Sequence, residues 1–409
     1  MKKRFIFIPL AILISIVSIL VLACKHPLGA GIQLKKYGND TVDTVDTVDK
    51  EKPLYPDSTK ITVFTNQHII PAITVTPNNT IIAAVGDKDT KGKILIKKSK
   101  DLGKTWEEVT VATDTDFNNC YVHPFFITAH NNDILLGLST TNAQNSKITF
   151  YRSLYSSDGQ NWTKEESATI NKPTSVTNQA AKPVKYTPTN SLITYGNGVT
   201  LRHGANANGK KLMFSYYYLV SGAPDRICIG TRVSDDDGKN WKSPGNDSGH
   251  YSGTSMVKAL EVEDGSILYC LNGPSSTRQL AWVKSTNIGK SHQLSQSHFS
   301  SYINTSYPRA FDFCRYEFNG RDILDKGLVL VTFSEPGCYK VMMSLDDFNG
   351  GKQGTGILGD SAKLLGATSG IHTIIYPAIT VLKDGTICTL AAENGDIVFK
   401  RFNLAWLSL

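Results

Sequence analysis

The chain repeats one short pattern, Ser-x-Asp-x-Gly-x-x-Trp, and few folds accommodate such a repeat. The pattern is complete at residues 99–106 and 234–241, and residues 156–162 read as the same pattern with one residue deleted before the glycine. Decayed copies begin at Ser285 and Ser344. Seryl and aspartyl oxygens bond nearby backbone N–H groups, glycine supplies a positive φ, and the tryptophan packs back beneath the chain, so the pattern describes a hairpin turn. Successive copies start at a mean step of about 61 residues, which suits a four-stranded sheet with its loops.

A second repeat lies upstream of the turns. Pro71 leads through Pro77-Asn78-Asn79 to Thr80, and Pro377 leads through Lys383-Asp384-Gly385 to Thr386, nine residues on in both cases. Pro124 reaches Asp133 and Val257 reaches Ser266 at the same offset. Each segment predicts strand, tight turn, strand, and short β-branched and aromatic runs fill the rest. About six such units fit between residue 60 and residue 409. Four-stranded units without helical periodicity hide their edges best by closing into a ring, so the fold expected is a six-bladed β-propeller. The early run Ile61 to Thr65 is expected to complete the last blade beside Ile397 to Phe402.

The ends carry different signals. Lys2-Lys3-Arg4, an apolar run from Phe5 to Leu22, and Ala23-Cys24 describe a lipoprotein export signal over residues 1–23, with Cys24 as the lipidated N-terminus after cleavage. An uncleaved apolar anchor is the alternative, and both readings place the body outside the cytoplasm, tethered to a membrane at the cell surface or in the periplasm. Residues 24–59 hold three consecutive Thr-Val-Asp triplets in polar, low-complexity sequence, a flexible linker ahead of the body at 60–409. The net charge of +7 falls to +4 without the signal, and no Lys/Arg cluster supports nucleic-acid binding. Six cysteines follow Cys24; Cys228, Cys270 and Cys388 sit in apolar runs where buried free thiols fit as well as disulfides. No ligand spacing calls for a metal, and no organic cofactor is implied.

The turn pattern is the Asp box, and from about residue 60 onward the chain resembles bacterial sialidases (neuraminidases) of the Asp-box, or BNR-repeat, family. Gly196-Asn197-Gly198-Val199-Thr200-Leu201 resembles the family's third-blade start, and Phe402-Asn403-Leu404-Ala405-Trp406 its closing segment. The run Tyr376-x-x-Ile-x-x-Leu-x-Asp-Gly-x-Ile resembles the segment that carries the sialidase nucleophile. The resemblance implies an exo-α-sialidase that releases terminal sialic acid from sialylated glycans or glycoproteins by a retaining mechanism. Tyr376 would be the nucleophile, since a phenol is less repelled than a carboxylate by the substrate's own carboxylate. Asp89, with Asp87 beside it in the loop after the first hairpin, would supply the acid/base. Arginines would clamp the carboxylate, and Arg202, Arg278, Arg309 and Arg315 are available.

The family's pattern is also broken at several places. Its Arg-Ile-Pro arginine falls at Ile69-Ile70-Pro71. Its glutamate partner falls at Met256, and Glu261 and Glu263 are expected to lie off the axis-facing end. Its second arginine falls at Asn272, and near Gly337-Cys338-Tyr339-Lys340 there is only a lysine. The alternative is therefore a sialidase-like propeller that binds glycans or host proteins at the cell surface without hydrolysis. Asp235, Asp236 and Asp237, in a motif present once per blade, belong to the fold rather than to the chemistry.

Overall fold

Six antiparallel sheets of four or five strands stand in a ring as the blades of a propeller, as the repeat predicts. The structure, a computed structural model, describes residues 52–409 apart from 68–69, 112–119, 142–145, 172–175, 178–184, 187–191, 207–208, 221–222, 246–249, 253–255, 263, 273–279, 291–292, 299–309, 317–328, 336, 345–361 and 368–374. Cys24 and the rest of the expected signal lie outside the described residues. The body, Pro53–Leu409, is one compact unit.

The innermost strands are Pro71–Val75, Tyr121–Thr128, Val257–Glu261, Phe311–Arg315 and Ala378–Val381 in blades 1, 2, 4, 5 and 6. In blade 3 the innermost strand is interrupted, Ile193–Thr194 and Val199–Thr200 both pairing with Leu212–Val220. Ile61–Phe64 pairs with Asp396–Phe402, so the first strand of the body completes the last blade and closes the ring without an exposed seam. Residues 56–59, assigned to the linker from sequence, lie against that seam: the Thr59 hydroxyl donates to the Arg401 carbonyl at 2.8 Å.

The core lies between blades, because alternate residues of each strand face opposite neighbours. Ile82, Phe126 and Tyr151 fill the space between blades 1 and 2. Phe125, Phe150 and Phe214 fill that between blades 2 and 3, with Trp241 stacked on Phe150 at 5.0 Å. The tryptophan of a turn thus inserts into the seam with the preceding blade; Trp106 likewise meets Phe399 of blade 6 edge-on at 5.3 Å.

The turns are built from the bonds that their residue types allow. At 99–106 the Gly103 N–H donates to Ser99 Oγ at 2.8 Å, the Thr105 N–H to Asp101 Oδ1 at 2.9 Å, and Trp106 Nε1 to the Gly103 carbonyl at 3.1 Å. Residues 234–241 repeat the first two bonds through Ser234, Asp236 and Asn240. Leu102 and Gly103 both have positive φ, and a Cβ on Gly103 would stand 2.1 Å from the Phe399 ring, so only glycine fits. The second copy corrects the sequence reading. The Gly159 N–H donates to Ser153 Oγ, six residues back rather than four, so this copy carries an insertion, not a deletion. A single 3₁₀ turn, Tyr155–Ser157, absorbs the extra length, and Ser157 Oγ accepts the bond that Asp101 Oδ1 accepts in the first copy. Asp158 is thereby released to accept from the hydroxyls of Thr76 and Thr80 in blade 1. Asp237 does the same work one blade on, accepting the His130 N–H at 2.9 Å. All six cysteines of the body are unbonded to one another, with Cys228, Cys270 and Cys388 buried.

Candidate functional site

These turns fix the two faces. The strand-three-to-four turns and the strand-one-to-two turns share one face, as the Asp158–Thr76 and Asp237–His130 contacts show. Every innermost strand therefore starts on the opposite face and runs toward the turn-motif face. Tyr376, two residues ahead of Ala378–Val381, belongs to the opposite mouth, and so does the loop after Ile81–Gly86 that carries Asp87 and Asp89. The structure places these three expected catalytic residues at one end of the axis.

Tyr376 is half-buried and packs with Ile70 on a buried cluster that contains Met256, Tyr195 and Phe311. Its ring lies 6.2 Å from that of Tyr195. Burial raises the Tyr376 phenol above its ordinary range. Tyr195 is pushed up much further, by burial first and then by Asp312 and the Tyr376 and Tyr217 phenols, with the Phe311 backbone pulling the other way, and its hydroxyl is shut away from solvent. The position expected to hold a glutamate is filled by Met256, buried and strained at φ +63°.

The two aspartates differ. Asp87 is buried, and its Oδ1 accepts the N–H groups of Asp89 at 2.9 Å and Thr90 at 3.2 Å. Burial alone would raise its pKa, but those N–H groups and the Lys93 ammonium outweigh it and hold the carboxyl below its usual range. Asp87 is thus an ionised turn former. Asp89, exposed and ion-paired with Lys88 at 3.0 Å, is the aspartate of this loop that can reach a ligand.

Arg202 does not join Tyr376. It follows Val199–Thr200 and lies at the turn-motif mouth, an inner strand away, or about 15 Å at 3.3 Å per residue. Arg315, the last residue of Phe311–Arg315, lines the same mouth. Arg152, Arg232 and Arg401 also stand near the turn-motif ends of their strands. All five arginines whose side chains are described thus belong to that half of the molecule. Arg278 and Arg309 lie outside the described residues. Glu261 lines the axial cavity at the turn-motif end, away from Met256 and Tyr376.

Sequence reading missed what separates the two mouths. The interrupted strand of blade 3 brings Asn197 onto the axis. Its Nδ2 donates to the Ile73 carbonyl of blade 1 at 2.7 Å, and its Oδ1 accepts the Phe126 N–H of blade 2 at 3.0 Å. The buried Lys258 of blade 4 donates to the Asn197 carbonyl at 2.6 Å and forms an ion pair with the buried Asp312 of blade 5 at 3.2 Å. The Ile379 N–H of blade 6 donates to the other Asp312 oxygen at 3.0 Å. One polar waist therefore ties all six blades. Gly196 is required beside it: its φ is +65°, and a Cβ there would stand 2.5 Å from Asp312 Oδ1 and 2.9 Å from Lys258 Nζ. The sequence signal was a charged residue inside an apolar run, Lys258 in Val-Lys-Ala-Leu and Asp312 in Phe-Asp-Phe, but the two strands are far apart in the chain.

Comparison with solved structures agrees with this architecture. The chain superposes on the Hadza microbial sialidase Hz136 with a TM-score of 0.58 and 17% identity, over 81% of its own length and 65% of that protein's, under two thirds of it. It superposes on the intramolecular trans-sialidase of Ruminococcus gnavus with a TM-score of 0.55 and 16% identity, over 87% of this chain and 99% of that one. The α-L-arabinanase of Penicillium chrysogenum gives the same four values. At these identities the likeness shows the fold alone: the chain is a sialidase-like propeller, a fold shared by glycoside hydrolases of more than one specificity. No protein-family model and no curated protein sequence matches it.

Proposed function

We propose that the protein is a glycoside hydrolase of the sialidase type, tethered outside the cytoplasm through Cys24, that releases terminal sialic acid from glycoconjugates at the mouth beside Tyr376. The observation that carries this reading is the position of Tyr376: a half-buried phenol at the start of the last blade's inner strand, at the same end as Asp89 and opposite the turn motifs. Two of the solved neighbours are named as sialidases. In this reading the Tyr376 oxygen, its proton lost to water, bonds to the anomeric carbon as the glycosidic bond breaks and Asp89 protonates the leaving oxygen. Water then cleaves the tyrosyl–sugar bond, giving its proton to the Asp89 carboxylate and leaving the tyrosyl oxygen to regain a proton.

A second reading has its own observation. Tyr376 must lose its proton to attack, yet the described groups that meet it are the phenols of Tyr195 and Tyr217 and an apolar cluster, none of which takes up a proton at neutral pH. The described arginine side chains lie toward the other face. A propeller that holds a glycan at this mouth without cleaving it fits those facts. One experiment separates the two: the full-length chain and its Tyr376→Phe variant are incubated with an α-linked sialoside bearing a fluorescent aglycone, and binding of the same sialoside is followed separately. Release by the parent chain that falls at least about a hundredfold in the variant supports hydrolysis. Binding without release supports the second reading, and release that survives the substitution removes Tyr376 from the chemistry.

A further inference from the structure

The repeat that sets out the strands also aligns three residues at the Tyr376 mouth. Val257 reaches Ser266 at the nine-residue offset that separates Pro377 from Thr386 and Pro71 from Thr80, so Met256, Tyr376 and Ile70 hold the same place in blades 4, 6 and 1, just ahead of the inner strand. Met256 takes that place at φ +63°. An L side chain is disfavoured in this left-handed region, which suits glycine, so a methionine stays there only if its surroundings hold it.

The hold comes from blade 3. The phenol oxygen of Tyr217, a buried residue of Leu212–Val220, accepts the Met256 N–H, so the bond crosses from the second strand of blade 3 to the start of Val257–Glu261 in blade 4. Burial raises the Tyr217 phenol above its ordinary range against the pull of that N–H, and the nearby Tyr376 phenol adds to the rise. Tyr217 is therefore an uncharged acceptor at neutral pH. Met256 in turn is buried in the cluster with Tyr195 and Phe311 on which Tyr376 packs. A buried N–H has no water to turn to, so removing the phenol oxygen leaves an unpaired donor on a residue whose backbone is already unfavourable. The relaxation open to Met256 is rotation to negative φ, which carries its thioether out of the cluster and loosens the seat of Tyr376.

We propose that Tyr217 is a positioning residue of this mouth, which by holding the Met256 N–H keeps Met256 in the cluster that seats the Tyr376 ring. The role rests on the glycan reading of the mouth only where sialoside binding is measured. The test compares the full-length chain with Tyr217→Phe, Met256→Gly and the double variant. Each carries isotope-labelled tyrosine, and the Tyr376 ring resonance, identified by its absence from Tyr376→Phe, is titrated with alkali by NMR without ligand. Tyr217→Phe is expected to lower the Tyr376 midpoint by about half a pH unit or more as water reaches the ring, and to weaken sialoside binding about tenfold. Met256→Gly, which adopts the positive φ unaided but brings no side chain, is expected to do the same, and the double variant to do no more than Met256→Gly. An unmoved Tyr376 midpoint in Tyr217→Phe, or a double variant whose changes are the sum of the two singles, would overturn the proposal. Tyr217→Phe removes a single oxygen and is expected to fold, so the first of these outcomes stands even if Met256→Gly does not fold. If the parent chain neither binds nor cleaves the sialoside, the glycan reading fails while the titration still decides the role of Tyr217.

Discussion

Replacing Lys258 by methionine tests the waist that joins the six blades. The substitution roughly conserves volume but removes the ammonium that faces Asp312 at 3.2 Å and donates to the Asn197 carbonyl at 2.6 Å. Asp312 keeps the Ile379 N–H, but its other oxygen then faces apolar surroundings. Breaking a buried pair by removing one partner costs about 3–5 kcal/mol. Replacing both partners, as in Lys258→Met/Asp312→Leu, removes the buried charge and leaves only the Ile379 N–H and the Asn197 carbonyl short of a partner, at about 1–3 kcal/mol for each such group at most. The double variant should therefore cost about 2–6 kcal/mol, in the range of the single one and short of the sum of the two single losses. The pH dependence gives an independent check. Burial already pushes the Asp312 carboxyl above its usual range, against the pull of Lys258. Without Lys258 it rises further, so the folded variant binds a proton that the unfolded chain does not hold between its ordinary pKa and the raised one. Lowering the pH from 7 to 5 should then return stability to Lys258→Met, by up to about 1.4 kcal/mol per pH unit. Urea unfolding followed by tryptophan fluorescence at both pH values measures these quantities. A single-variant loss below about 1 kcal/mol, or a double variant that costs the sum of both singles, refutes the reasoning.

Further outcomes follow from single residues. His123 has an Nδ1 shut away from solvent and unpartnered, and burial lowers its pKa to about 4. Its contribution to stability is present above about pH 6.5 and is lost as the pH falls toward 4, on the order of 3 kcal/mol, so His123→Phe should flatten the stability profile between those values; an unchanged profile counts against it. Gly196→Ala should cost at least about 1–3 kcal/mol, since it strains a positive φ and pushes on the Lys258–Asp312 pair; a melting temperature equal to that of the parent would contradict the assigned role. Asp158→Ala leaves the hydroxyls of Thr76 and Thr80 without their shared acceptor and should lower stability by about 1–3 kcal/mol, read in the same unfolding assay.

The architecture was legible because it is repeated. Strand pairs at a nine-residue offset and turns at a regular step leave few alternatives to a ring, and Ile61 to Thr65 was recognisable as the missing outer strand of the last blade. Local chemistry was read less well. In the second turn copy Ser153, not Ser156, supplies the first hydroxyl, because two extra residues fold into a 3₁₀ turn that the residue spacing did not reveal. Arg202 is expected among the carboxylate-binding arginines because it adjoins a strand and could point inward. Which end of an inner strand meets which face depends on the direction of the whole blade, and a residue after the strand belongs to the face opposite a residue before it. Glu261 ends its strand at the turn-motif mouth, away from Tyr376, where the Arg202 and His203 N–H groups hold it, and Glu263 lies outside the described residues.

That same directionality explains why the two mouths differ chemically. The starts of the inner strands bring Ile70, Met256, Tyr195 and Tyr376 together, an apolar and phenolic surround in which burial keeps each phenol protonated. Their ends bring together Thr200 to His203, Glu261 and Arg315, which are charged and hydrogen-bonded. The waist stands between these environments with one positive and one negative side chain, each buried, whose combined charge is zero and whose bonds reach every blade. An apolar pair of equal volume would fill that space without a buried charge, but it would carry no directional contact to the Asn197 and Ile379 backbones. The charged pair therefore fixes how the interrupted strand of blade 3 sits against blades 4, 5 and 6, and with it where Tyr195 stands relative to Tyr376. Geometry at the Tyr376 mouth is set from below by this contact, so variants of Lys258 and Asp312 should shift the sialoside binding proposed for that mouth even where the protein stays folded.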